Sequence, residues 1–431
     1  MTGAAANIPW KTLPSELGDV PFYVIEFDKN GNCTSPDALE HLIGTSASKT
    51  DVILFSHGWN NDWNAATSRY DRFIDRFIAI RHQRWRPPTR AFAPVLVGVF
   101  WPSAALVAPW EQGPDIAAAL LPDADVAVLA DALPPDQKDA FLALVANPSA
   151  DDVNQLARML APVVSQCINE VDSDEAPVTA EDVLAVWNTV ATAQAPSSTG
   201  LDGGFIDDGG ASAGGAPAAA GWNPIQLIRD GIRATTVLLM KDRAGRVGGN
   251  GVSRMLHRLA DTSEARISLV GHSYGCKVVL SALCNGPAAS RVVDSALLLE
   301  PALSCFAFTD NVDGHAGGYH SALERVRQPI ITTYSANDVP LTKFFHLAVR
   351  RNSDLAEAVI AGQPPSKFAA MGGYGPAGVD TDWIDMPAVG DPYPLSTDLR
   401  VIAVNGTRYI ASHGAVETPE TAWALLSQIR A

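Results

Sequence analysis

The pentamer Gly271-His272-Ser273-Tyr274-Gly275 leads directly from a strand-like apolar run into a helix-like one that begins at its last glycine. The first run, RISLV at 266–270, is short and nearly continuous, as a strand buried on both faces requires. The second run, GCKVVLSALC at 275–284, is mostly apolar and long enough for a buried helix. So short a connection makes the chain turn sharply and packs the helix straight back on the strand, as in a parallel sheet. Side chains at Gly271 or Gly275 would collide with the neighbouring helix and strand, so glycine is expected at both.

The same alternation recurs along the chain. Strands are predicted at 21–27 (PFYVIEF), 51–56 (DVILFS), 94–101 (PVLVGVFW), 295–299 (SALLL), 329–334 (PIITTY) and 399–404 (LRVIAV). A helix is predicted over 63–82, where Ala66, Tyr70, Phe73, Ile74, Phe77 and Ile78 follow a 3.6-residue period, and others at 225–241 and 251–261. The pattern predicts a doubly wound, mostly parallel α/β sheet of about 6–8 strands. It is interrupted once, so residues 1–103 and 225–431 read as one domain and 104–224 as a helical insertion. Within the insertion, Ser149 to Asp152 and Thr179 to Asp182 are capping boxes, and Val183, Val186, Trp187 and Val190 share a helix face. The Gly/Ala/Ser-rich stretch 196–221 reads as a flexible linker. The glycines of GRVGGNG at 245–251 lack the lysine of a phosphate loop and read as a turn between helices.

Charge is segregated. Of 47 acidic and 31 basic residues, 18 and 2 fall between Ala104 and Pro224, which leaves 29 of each elsewhere, so the insertion carries the net charge of -16. No basic stripe exists to neutralise phosphates, and nucleic acid is not an expected partner. No apolar run approaches the ~18 residues of a membrane span. The N-terminal stretch lacks the apolar core of a signal peptide, and five scattered cysteines do not make a disulfide framework, so a cytoplasmic location is expected. No zinc-ligand spacing is present, and no metal is expected.

Strand, sharp turn and helix together lift the Ser273 hydroxyl above the sheet edge at a helix N-terminus. A serine hydroxyl is a poor nucleophile and needs a base, which itself needs an orienting acid. In nucleophile-elbow hydrolases the order along the chain is Ser, then Asp or Glu, then His. Asp338, in Ser335-Ala336-Asn337-Asp338 after the strand PIITTY, and His413, beyond the last strand and the hairpin signal Asn405-Gly406, satisfy it. Glu300, Asp310 and Asp313 are rival acids; His315, His320 and His346 are rival bases with poorer order or spacing. The oxyanion of a tetrahedral intermediate needs backbone donors, expected from Tyr274 and from Trp59 in Phe55-Ser56-His57-Gly58-Trp59. Gly58 lets the backbone approach the substrate. His57 and His272 are expected at the substrate-binding crevice, His57 also bracing its loop.

With these residues in view, the chain resembles the α/β-hydrolases of esterase and lipase type. More narrowly, it is similar to a bacterial family of hydrolases with F-x-H-G-[WY]-N-N, W-P-S, G-H-S-x-G and S-x-N-D motifs. Here these are Phe55 to Asn61, Trp101-Pro102-Ser103, Gly271 to Gly275 and Ser335 to Asp338. The resemblance covers 51–103 and about 225–415 and implies an α/β-hydrolase fold with serine hydrolase activity. Carboxylic esters are the expected small-molecule substrates, with no organic cofactor. A thioesterase, amidase or acyltransferase would use the same residues, and a binding protein on a hydrolase fold is the alternative outside enzymology. The insertion leaves the sheet where the site is expected, so it is expected to cap Ser273 and, being acidic, to disfavour anionic substrates.

Overall fold

The computed structural model describes residues 8–14, 19–85, 88–103, 123–167, 177–193, 224–286, 288–312, 314–345 and 367–431. The proposed linker 196–221, Asp313 and His346 lie outside these residues. Among the described residues, nine strands form one sheet: β1 (Lys11–Leu13), β2 (Val20–Glu26), β3 (Asp51–Ser56), β4 (Pro94–Phe100), β5 (Arg266–His272), β6 (Ser295–Leu299), β7 (Ile330–Tyr334), β8 (Thr381–Asp385) and β9 (Val401–Asn405). Their order is β1-β2-β4-β3-β5-β6-β7-β9-β8, and every pairing is parallel except that of β1 with β2. The class is α/β, with a mostly parallel mixed sheet. The order turns back on itself between β4 and β3, which places β5 centrally.

Alternate side chains of each strand serve two apolar layers. Val52 and Leu54 of β3, Val95 and Val97 of β4, and Ile267 and Leu269 of β5 face one layer. Helices α1 (Pro36–Ser46), α7 (Pro224–Arg246), α8 (Ser253–Thr262) and α9 (Tyr274–Cys284) supply residues to that layer. Ile53, Phe55, Leu96 and Val270 face the other layer, built with α2 (Trp63–Arg84) and the C-terminal helix Pro419–Arg430. Strands buried on both sides need continuous apolar sequence, which is why the runs are legible.

Three features depart from the sequence pattern. The edge strands β1 and β8 carry too little apolar periodicity to be read; Trp383 at the centre of β8 is 50% exposed. GRVGGNG is not a turn: Val247–Val252 forms π-helical turns that join α7 to α8. A Cβ on Gly248 would lie 2.3 Å from the Val278 carbonyl oxygen, so the glycine permits close packing on α9. Asn405-Gly406 does not make a hairpin either. The Gly406 N–H bonds to the Tyr334 carbonyl, and its own carbonyl accepts from Tyr409 and Ile410, folding the chain into a tight turn.

Four helices of the insertion are described: α3 (Asp123–Ala132), α4 (Pro135–Ala146), α5 (Asp152–Ser165) and α6 (Ala180–Ala193). Their apolar faces, including Leu129, Phe141, Leu160 and Trp187, belong to the same continuous core as the α7 side of the sheet. Trp187 docks flat against Gly231 of α7 and donates its indole N–H to Thr235 Oγ1 at 3.2 Å.

Gly231→Leu should therefore be costly, because the new Cβ would lie 2.0 Å from the Trp187 ring. A loss of about 1–3 kcal/mol is expected in denaturant titration. Gly44→Ala in α1, whose Cβ meets nothing within 4 Å, should instead gain about 0.5–1 kcal/mol.

Candidate active site

Ser273 links β5 to α9 with φ 55° and ψ -124°, a conformation that L-residues rarely adopt. Its surroundings hold it there. Its N–H donates to the Leu299 carbonyl at 3.0 Å, and its carbonyl accepts from the Cys276 N–H at 3.0 Å. A Cβ on Gly271 would meet Cys276 Cα at 2.6 Å, and one on Gly275 would meet the Ser56 carbonyl oxygen at 2.1 Å. The turn can thus be this tight only with glycine at both flanks.

The carboxyl ends of β5, β7 and β9 converge, and three side chains meet there. Ser273 Oγ lies 2.8 Å from His413 Nε2, and His413 Nδ1 lies 2.6 Å from Asp338 Oδ2. The carboxylate fixes the tautomer: Nδ1–H donates to Asp338, which leaves Nε2 to accept from the serine hydroxyl. Asp338 Oδ1 accepts from the Leu341 N–H at 3.0 Å. All three residues are buried, with Ser273 only 1% exposed.

The Ser335 to Asp338 loop holds the imidazole in two ways. Asp338 bonds the ring itself. Ser335 Oγ donates to the Ile410 carbonyl at 3.1 Å, while Asn337 Nδ2 donates to the Thr407 and Ile410 carbonyls at 2.8 and 3.0 Å. Ser335 and Asn337 therefore fasten the turn that delivers His413.

On the other side of Ser273 runs the loop 57–61. A Cβ on Gly58 would lie 2.8 Å from Ser273 Cβ, so only glycine lets this backbone approach the hydroxyl. Ser103 pins the loop: its carbonyl accepts from the Asn60 N–H at 2.9 Å and its Oγ from the Asn61 N–H at 3.1 Å. The Trp101 indole donates to the His57 carbonyl at 3.0 Å and stacks on the His57 ring with 6° between planes. Trp59 and Tyr274 lie side by side, their ring centroids 6.5 Å apart.

His57 is buried and His272 half-buried, and both imidazoles bond to the framework around Ser273, while His272 Nδ1 has no hydrogen-bond partner. His57 Nδ1–H donates to the Gly58 carbonyl at 2.9 Å, and Nε2 accepts from the Trp101 N–H at 3.4 Å. His272 Nε2–H donates to the His413 carbonyl at 2.8 Å. Among the rivals, Asp310 and His315 are exposed, and His320 is tied to the Phe308 carbonyl at 2.9 Å. Glu300 is fully buried at the end of β6, beside Asp338.

Sequence reasoning missed Arg69. From α2 its Nε donates to Asn61 Oδ1 at 2.9 Å, and its Nη1 donates to the Gly414 carbonyl and to Glu417 Oε1, each at 2.9 Å. One guanidinium thus clamps the glycine loop to the His413 loop. In sequence it is one more arginine on the polar side of an amphipathic helix. Among the described residues, no group of three or more His, Cys, Asp or Glu side chains is arranged to hold a metal ion.

No family model, no curated protein and no solved structure matches this chain.

Burial holds both framework histidines neutral. It pulls the pKa of His57 from 6.5 to about 4, and that of His272 well below the ordinary value. The unfolded chain takes up protons below pH 6.5 that the native state refuses, so His57 stabilises fully above that pH and its contribution fades towards pH 4. The Asp125 carboxyl, lifted by burial to about 6, acts oppositely over the same range, so the test is a difference. The stability deficit of His57→Gln against wild type should shrink by up to about 3 kcal/mol on acidification from pH 6.5 to 4. A deficit that does not change with pH would refute the assignment.

Proposed function

We propose that this protein is a serine hydrolase of carboxylic esters, built on an α/β-hydrolase fold. The observation that carries the reading is the hydrogen-bonded chain Ser273–His413–Asp338, with contacts of 2.8 and 2.6 Å, at a strained strand-to-helix turn. The parallel sheet and the order Ser, Asp, His along the chain support it.

In the proposed reaction, His413 Nε2 takes the Ser273 proton as Oγ attacks the acyl carbon. The imidazolium is stabilised by Asp338 and returns the proton to the leaving alkoxide oxygen. A water molecule then attacks the acyl-enzyme, again with His413 as base, and releases the acid. The backbone N–H groups of Trp59 and Tyr274 are assigned to the developing oxyanion, one from each side of Ser273. Gly58 keeps that position open, and Arg69 holds the glycine loop and the His413 loop in register. No helix among the described residues is long and apolar enough to cross a membrane, which suits substrates met outside the bilayer.

The insertion is assigned as a cap. It departs just after β4, and its helices pack on α7, whose Val237 carbonyl accepts from the Tyr274 hydroxyl at 2.9 Å. Its acidic surface would repel anionic substrates and favour neutral esters.

A fluorophosphonate probe should label Ser273 in the folded protein, and p-nitrophenyl esters should be hydrolysed. Ser273→Ala should abolish labelling and lower kcat by about 10⁴–10⁶-fold. A folded protein that is not labelled, or an alanine variant that keeps a few per cent of activity, would sink the reading.

The glycine loop gives an independent check. Gly58→Val should lose about 10²–10³-fold in kcat, because its side chain would invade the space beside Ser273 that the oxyanion needs. Trp59→Phe keeps the backbone N–H and should remain within about tenfold of wild type. Equal losses in both would show that the indole, not the amide, matters at position 59.

A further inference from the structure

A second carboxyl group lies against the proposed triad without belonging to it. Glu300 follows β6 and is completely buried. Its backbone sits at φ 45°, a left-handed conformation that costs a non-glycine residue roughly 1 kcal/mol or more. Its Oε1 accepts from Thr333 Oγ1 at 2.9 Å, and the same hydroxyl oxygen accepts from the Glu300 N–H at 3.0 Å. Oε2 is equally buried and has no hydrogen-bond partner of ordinary geometry. The Asp338 carboxylate lies within hydrogen-bonding reach of the Glu300 carboxyl group.

The enclosure is built. The turn at 371–374 lies directly on Glu300, where a Cβ on Gly372 would come within 2.4 Å of the Glu300 carbonyl carbon. Gly372 N–H donates to the Pro301 carbonyl at 2.9 Å and its carbonyl accepts from the Ser335 N–H at 3.0 Å, which seals the ends of β6 and β7 together. Among the described residues, the other titratable groups on this side are His413, beyond Asp338, and the Cys276 thiol of α9, whose sulfur lies 3.7 Å from the Leu299 carbonyl. Neither supplies a cation to Glu300. Two adjacent buried carboxylates cannot both ionise at ordinary pH, so they share a proton.

The choice between the two is decided by their donors. Asp338 has the His413 ring N–H at 2.6 Å and the Leu341 N–H at 3.0 Å; Glu300 has one neutral hydroxyl. Charge settles where donors are. We propose that Glu300 is held as a neutral carboxylic acid whose O–H donates to Asp338, making it a positioning residue that tempers the pull of Asp338 on His413. Burial, with the Asp338 charge second, pushes the Glu300 pKa well above the ordinary range, in the same direction. This deepens the hydrolase reading and rests on it.

The consequence has a definite sign. A hydrogen bond received by Asp338 withdraws negative charge from His413 and so stabilises the imidazolium less. Glu300 therefore extends activity towards acid. Glu300→Gln keeps a neutral donor and should leave the acid limb of kcat/KM where the wild type has it, with kcat/KM within about threefold. Glu300→Leu removes the donor and should move that limb up by about one pH unit, lowering kcat/KM by up to about tenfold on the limb itself. A limb that moves to lower pH in Glu300→Gln would mean that Glu300 is ionised, and overturn the proposal. A limb unmoved in both variants would mean that it only packs.

Infrared spectroscopy reads the proton without catalysis. The wild type at neutral pH should show a buried carboxylic acid carbonyl stretch that Glu300→Gln lacks; its absence overturns the proposal even if Glu300→Leu does not fold. If that band is present and fluorophosphonate labelling fails, the shared proton stands and the hydrolase reading falls.

Discussion

Everything at the site depends on how closely three pieces of backbone can approach one another around Ser273. The turn itself, the end of β3 and the glycine loop pack so tightly that Cβ atoms on Gly271, Gly275 or Gly58 would stand 2.1–2.8 Å from their neighbours. Such contacts are possible only without side chains. They force the serine into φ 55°, and the strain is offset by backbone hydrogen bonds on both sides of it. The sheet supplies the rigidity this needs, because β5 is central, hydrogen-bonded to β3 and β6 and buried on both faces.

Around that fixed point, the other functional groups sit on loops and must be tied down by side chains. The ties are redundant. The His413 loop is held at its own carbonyl by His272, at Gly414 by Arg69, at Ile410 by Ser335 and Asn337, and at the ring by Asp338. The 57–61 loop is held by Ser103, Trp101 and, through Asn61, by the same Arg69. Loops are otherwise the most mobile part of a fold. An imidazole kept within hydrogen-bond reach of a hydroxyl is pre-organised for proton transfer only if its loop does not drift.

This division explains what could be read in advance. The central strands were legible because a strand buried on both faces must be a continuous apolar run, as DVILFS and SALLL are. The Ser, Asp and His positions were legible because a chemical sequence of roles restricts which residues can follow which. Edge strands β1 and β8 bury less and carry weaker patterns, so nothing in their composition announced them. The turn assigned to GRVGGNG failed because glycine serves two purposes: here it permits helix packing on α9 rather than a reversal. Arg69, Ser103 and Thr333 were invisible for a different reason. Each acts through a tertiary contact between segments distant in the chain, and no local period encodes such a partner.

The electrostatics follow from the same tight packing. Close backbone contact excludes water, and exclusion of water penalises every charge that lacks a strong partner. His57 and His272 answer by staying neutral, and the proposed proton on Glu300 is the same answer given by a carboxyl group. Asp338 has two donors instead, the His413 N–H and the Leu341 N–H. The imidazolium that forms at His413 in the proposed reaction then meets one nearby anion on a dry side and no neighbouring cation among the framework histidines. Were His57 or His272 protonated, that imidazolium would be opposed by like charge. Were Glu300 ionised, a second anion would stand beside Asp338 and stabilise the imidazolium further. Desolvation by packing thus sets the charge pattern on which the proposed chemistry depends.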